Sequence, residues 1–146
     1  MDTIAIDHAI TWPDEEEVLE AAGHRLIVKV VTPSQFVCDY TCPPRFAGPP
    51  LHLHPGFDET FLVLEGRLEV TLRDEQVALT PGGTAVVSGA VPHTFSNPDD
   101  DRARFLLICT PGGFEDYFRG IATGNAALVA AAAERAGYRT VAAGTE

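Results

Sequence analysis

Residues 52–66 read HLHPGFDETFLVLEG. On an extended strand side chains alternate with period two, so His52 and His54 project from one face and both imidazoles can reach one ion. Glu59 lies at the wrong parity for a continuous strand, but Pro55 and Gly56 permit a bend that resets it. From Glu59 onward, Phe61 and Val63 share its face, which sets one acid among apolar side chains. A further histidine, His93, stands in GGTAVVSGAVPHTFSN (82–97), at the start of another predicted strand that a sandwich topology can bring opposite the first three. Imidazole nitrogens with one carboxylate suit Fe, Ni, Zn, Mn or Cu, and four protein ligands on an octahedral ion leave two positions open.

Outward from this stretch the chain reads as short strands. RLIVKVV (25–31) and QFVCDYT (35–41) form a hairpin that puts Phe36, Cys38, Tyr40 and Cys42 on one face. EVLE (17–20) has helix-compatible composition, yet Gly23 sits where a hairpin would turn, so a short edge strand is expected. CPPRFAGPP (42–50) cannot sustain a ladder, because its prolines lack amide donors, and it serves as a loop leading to His52. TFLVLEG, RLEVTLR, QVALTP, TAVVS, HTFSN and ARFLLICT then follow one another between turn residues until Thr110, the rhythm of a sandwich or barrel.

Beyond Thr110 the period changes. Phe114, Tyr117, Phe118 and Ile121 recur at helical spacing, and NAALVAAAAERAG (125–137) runs from an Asn cap to a Gly stop. Two short C-terminal helices are expected over about 113–138, with the aromatic stripe read as core packing. The barrel is expected over about 17–110, all within a single domain spanning 1–146.

With 146 residues, 45% hydrophobic and 21% charged, the chain has the composition of a globular domain with one core. A net charge of −11 with only 10 Lys and Arg disfavours binding to phosphate backbones, so no nucleic acid partner is expected. DEEE (14–17) and DDD (99–101) lack the spacing of a calcium loop and are read as solvated turns. Cys38, Cys42 and Cys109 form no paired motif and are read as reduced, small buried hydrophobes of a cytoplasmic protein. MDTIAIDHAITWPDEEE lacks a basic region with an apolar core, and AALVAAAA (126–133) is too short to span a bilayer, so no membrane association is expected.

The residues resemble the cupins. Their first motif, G-x5-H-x-H-x(3,4)-E-x6-G, appears as His52, His54, Glu59 and Gly66, with Gly48 nearest to its leading glycine. Their second, G-x5-P-x-G-x2-H-x3-N, appears as Gly82, His93 and Asn97, with Ser88 and Ala90 at its proline and second glycine. The chain is similar to small bacterial single-domain cupins of the quercetin-dioxygenase-like or polyketide-cyclase-like kinds. The resemblance implies an all-β double-stranded β-helix, the jelly-roll barrel, holding one divalent transition metal on His52, His54, Glu59 and His93. It also implies self-association, with the apolar stretch TIAIDHAI (3–10) as a candidate homodimer contact.

These readings lead to a metal-dependent oxygenase acting on a small phenolic or otherwise mostly apolar molecule inside the barrel. A non-oxidative Zn or Ni cyclase, isomerase or lyase, and a non-catalytic binding protein, are the alternatives. Glu59 is the candidate general base, because burial and a cation pull its pKa in opposite directions. Tyr40, Arg45, Phe61 and Phe95 are the candidate substrate contacts. Asn97 is read as a brace for a turn, and His8 and His24 as surface or turn residues.

Overall fold

The computed structural model describes residues 8–142. β1 (Glu17–Ala21) and β2 (His24–Thr32) pair as a hairpin through Ala22 and Gly23, both at positive φ, as a two-residue type I′ turn demands. The edge strand expected at 17–20 is therefore present. β3 (Gln35–Cys42) pairs with β2 and buries Phe36, Cys38, Tyr40 and Cys42 together. After the proline-rich loop come β4 (His52–Leu53), β5 (Asp58–Glu65), β6 (Leu68–Leu72), β7 (Glu75–Leu79), β8 (Thr84–Val87), β9 (His93–Ser96) and β10 (Ala103–Thr110).

The strands pair antiparallel in two sheets, ordered β1-β2-β3-β10-β5-β8 and β11-β4-β9-β6-β7. β11 (Arg139–Thr140) returns after the helices to pair with β4 at the edge of the smaller sheet. The result is the expected jelly roll, with the sheets facing each other across one core. β10 shows how its sequence builds that core: Ala103, Phe105, Leu107 and Cys109 all point inward and alternate with more exposed residues. Phe36, Phe61, Leu68, Val70 and Phe105 are fully buried between the sheets, each burial contributing about 1.5–3 kcal/mol. All three cysteines are buried and unbridged.

α1 (Glu115–Thr123) and α2 (Ala126–Ala136) follow the barrel. The Asn125 side chain accepts the Leu128 N–H at 3.1 Å, and Gly137 ends α2 in the left-handed conformation, so both sequence signals act as caps. α1 lies over β1, where Arg119 pairs with Glu17. The acidic run at 99–101 is a turn, in which Asp99 pairs with Arg67 and Asp100 with Arg45. Residues 3–7 of the stretch proposed for self-association lie outside the described residues; His8 within it is exposed. Among the described residues no helix is long and apolar enough to cross a membrane.

Candidate metal centre

His52 and His93 are brought side by side because β4 and β9 pair at those two residues. The loop before His52 is pinned to β9: Phe46 bridges to Asn97, and the Thr94 hydroxyl donates to the Pro49 carbonyl at 2.7 Å. Gly48, at φ +88°, passes so close to β9 that a Cβ would lie 2.2 Å from the Phe95 carbonyl oxygen. Asn97 braces the adjoining turn as expected, donating to the carbonyls of Pro43 at 3.1 Å and Asp101 at 2.8 Å.

Glu59 comes from the other sheet, on β5 between Cys109 of β10 and Val87 of β8. His54 is not on a strand. β4 ends at Leu53, so the shared face expected from strand period is produced instead by the bend, in which the His54 N–H donates to the Gly89 carbonyl at 2.8 Å. Gly89 permits this approach, since a Cβ there would lie 2.2 Å from the His54 carbonyl oxygen and 2.0 Å from that of Phe57. The His54 ring stacks on Phe57 with centroids 3.9 Å apart.

One ligand atom from each of His52, His54, Glu59 and His93 lies within 4.8 Å of every other, and all four residues are buried. The outer ring nitrogens explain which atoms converge. Nδ1 of His52, His54 and His93 lies 2.9, 3.0 and 2.7 Å from the carbonyls of Pro50, Phe57 and Val91. A carbonyl only accepts, so each Nδ1 carries the proton and each Nε2 is left free to ligate. Inside, His93 Nε2 lies 2.9 Å from His54 Nε2 and 3.1 Å from Glu59 Oε1, and His54 Nε2 also meets Glu59 Oε1. Acceptor atoms packed this closely need a positive charge among them, either a shared proton or a cation. The donor set fits a divalent transition ion.

The electrostatics agree. Burial would raise the Glu59 pKa, but its close contacts with the His54 and His93 rings outweigh it and hold the carboxyl down at about 2. Burial would lower His54, yet its hydrogen bond to Glu59 and that residue's charge raise it above the ordinary value. His52, further from the carboxylate, is pushed down to about 4 by burial. Without a metal, a proton shared between His54 and Glu59 would supply that positive charge.

His52, His54 and Glu59 line a cavity of about 270 Å³, and His93 is fully buried beside His52. Tyr40 and Phe95, two of the candidate substrate contacts, line it. Phe61 does not: it lies fully buried behind the wall, against Phe95 and Phe105. Arg45 is also outside, turned to solvent in its pair with Asp100, because its loop position carries the side chain away from the barrel. The α1 stripe, read from sequence as core, does both: Phe114 belongs to the core with Tyr117 and Phe118 packed against it, and these three with Ile121 also roof the cavity. A helix packed over an open barrel end has the same periodicity as one packed on a filled core, which is why spacing could not separate them. Tyr138 and His24 are among the lining residues that the sequence reading missed. Tyr138 stacks on His52 with centroids 4.8 Å apart, and His24, read as a turn residue, faces the cavity from the first position of β2.

Fold and site together define a jelly-roll protein with a buried three-histidine, one-carboxylate centre at the end of an aromatic cavity. Residues 39–109 match the family model Cupin_2, cupin domain. Among solved structures it is similar to KdgF from Halomonas sp., at 21% identity and TM-score 0.62 over 71% of this chain and 94% of that one. It is also similar to hydroxypropylphosphonic acid epoxidase from S. wedmorenis, at 22% identity and TM-score 0.59 over 70% of this chain and 59% of that one. FeII HppE is similar at 20% identity and TM-score 0.61 over 74% of this chain and 64% of that one. No curated protein matches the sequence significantly.

Proposed function

We propose that the protein is a metal-dependent oxygenase acting on a small, neutral, phenolic or otherwise mostly apolar molecule held inside the barrel. The observation that carries this reading is the convergence of three Nε2 atoms and one carboxylate at the end of a cavity walled by aromatic rings. A divalent transition ion on His52, His54, Glu59 and His93 would supply Lewis acidity and redox chemistry at the positions that four protein ligands leave open.

The chain's own residues do the rest. Phe57, Phe114 and Tyr138 pack around the imidazoles and keep water from the centre. Tyr40, Phe95 and Phe118 offer ring faces and edges to a flat ligand. No Lys or Arg is among the described lining residues, which favours a neutral substrate over a carboxylate or phosphate ester. Glu59, held as a carboxylate at neutral pH, is placed to accept the proton of a substrate hydroxyl that enters the centre. The likeness to an epoxidase and to an iron-loaded protein of the same fold is consistent with oxidative chemistry.

The test is an oxygen electrode with iron-reconstituted protein and a panel of phenols and naphthols. Oxygen uptake coupled to substrate loss, and abolished in His54→Ala, is expected. Substrate conversion without uptake, in protein that retains zinc, would overturn the oxidative reading in favour of Lewis-acid chemistry.

A further inference from the structure

The same cavity holds a polar pair that the metal centre does not use. Tyr40 Oη lies 2.8 Å from His24 Nδ1, and both side chains line the cavity. Their other neighbours are rings: Phe46 meets His24 edge-on at 4.5 Å, and Phe105 stacks on Tyr40 at 4.8 Å. Strand register places the pair well away from the metal ligands. Tyr40 stands opposite Phe105 of β10, and Glu59 stands opposite Cys109 of the same strand. The four steps along β10 from Phe105 to Cys109 span ~13 Å at about 3.3 Å per residue. On β9 the displacement runs the same way but is shorter: Phe95, which touches Tyr40, lies two residues past His93, about 7 Å along the strand.

The pair has hydrogen-bonding capacity to spare. Burial lowers the His24 pKa and raises that of Tyr40, so both are neutral at physiological pH. A neutral imidazole and a phenol carry two exchangeable protons between them, and their mutual hydrogen bond uses one. If Tyr40 donates to Nδ1, the spare donor is His24 Nε2–H; if Nδ1–H donates, the spare donor is the Tyr40 hydroxyl. Either tautomer offers one donor, and acceptor capacity beside it, to a ligand in a wall that is otherwise mostly aromatic and aliphatic, Glu20 and the metal-centre residues apart. Such a group has a purpose for a substrate with an oxygen at that end, and costs desolvation for a purely apolar one.

We propose that His24 and Tyr40 form a second station that hydrogen-bonds a hydroxyl or carbonyl oxygen of the substrate, so that the substrate is an elongated aromatic molecule with oxygens at both ends. One oxygen lies at the metal centre and the other on the order of 10 Å away, as the strand register sets the spacing. A single phenol ring reaches one end at a time, whereas a fused two-ring molecule reaches both. This inference rests on the metal-centre reading of the cavity and narrows its substrate class.

The test compares naphthalene-2,6-diol with 2-naphthol, which share a ring system and differ in the second oxygen, by anaerobic titration of the metal-loaded protein. Wild type is expected to bind the diol about five- to tenfold more tightly, the range for one neutral hydrogen bond in a dry site. Tyr40→Phe and His24→Phe are each expected to erase that gap with metal content unchanged. Equal affinity of wild type for the two ligands, binding of neither, or a gap that survives both substitutions would overturn the station. So would variants that weaken both ligands equally. A gap that behaves as expected in protein that consumes no oxygen supports the station and overturns only the oxygenase reading.

Discussion

His54 Nε2 and His93 Nε2 face each other at 2.9 Å while the Nδ1 of each ring is committed to a main-chain carbonyl. Two lone pairs aimed at one point, beside the Glu59 carboxylate, repel unless a cation or proton sits among them. Ion and proton therefore compete for one place, and the behaviour of the site with pH follows from that competition.

In chelated protein His52 has a folded-state pKa of about 4, against an ordinary value of 6.5. Between these values the unfolded chain binds more protons, so stability falls as pH drops from about 6.5 towards 4. His54 acts with the opposite sign: its raised pKa gives stability that is present below 6.5 and lost as pH rises through the folded value. Glu59, held at about 2 against 4.5, contributes above 4.5 and loses its contribution only as pH falls from there to 2. Metal must displace the His54 proton, so affinity rises with pH through that same value. Melting temperatures with and without metal should accordingly diverge above pH 6.5 and converge by pH 4.5. A metal-induced shift that does not change with pH over that range would contradict the proton's place in the site.

Glu59→Gln keeps the shape of the side chain but removes its charge. Metal affinity should fall by about 10- to 100-fold as an anionic ligand is lost. With excess metal restoring occupancy, turnover should remain at least tenfold below wild type, because an amide cannot accept the substrate proton. Full turnover at full occupancy would remove Glu59 from the chemistry and leave it a ligand only.

At Gly89 a methyl group would lie 2.0 Å from the Phe57 carbonyl oxygen and 2.2 Å from that of His54. Gly89→Ala should therefore cost about 2–4 kcal/mol in urea unfolding and shift the bend that carries His54, lowering metal content as well. Wild-type stability in this variant would show that the approach of the two segments is not needed.

Arg45 gives the opposite expectation. Its pair with Asp100 is exposed on both sides, and exposed pairs contribute about 0–1 kcal/mol. Arg45→Ala should leave metal content and naphthol affinity unchanged in the titrations used for the Tyr40 variants. A tenfold loss of ligand affinity would return this residue to the site.

Much of this arrangement was legible before any coordinates, because it rests on short-range patterns. The alternation in QFVCDYTC made β3 and pointed Tyr40 inward, and ARFLLICT announced β10. His52, Glu59 and His93 were found from their spacing and motif, and the caps Asn125 and Gly137 fixed α2. What the pattern missed depends on where finished elements dock. The α1 stripe looked like core because a helical face is apolar whether it covers packing or a cavity. Tyr138 lies in a segment that pairs with β4 over two residues, too short for a strand signal. His24 reads as a turn residue in sequence, and only the β2–β3 register, with Leu26 opposite Tyr40, brings it beside the Tyr40 hydroxyl. Arg45 has positive φ in its loop, a backbone choice that composition does not announce, and it leaves the side chain outside.

The central claim is that His52, His54, Glu59 and His93 hold one ion, and elemental analysis of protein purified without chelator, alongside His54→Ala and His93→Ala, tests it most directly. The account predicts about one transition-metal ion per wild-type chain and less than about a tenth of that in either variant, because removing one imidazole from a four-ligand set exposes the rest to protons. Wild-type protein that remains metal-free after reconstitution, or variants that carry as much metal as wild type, would contradict it.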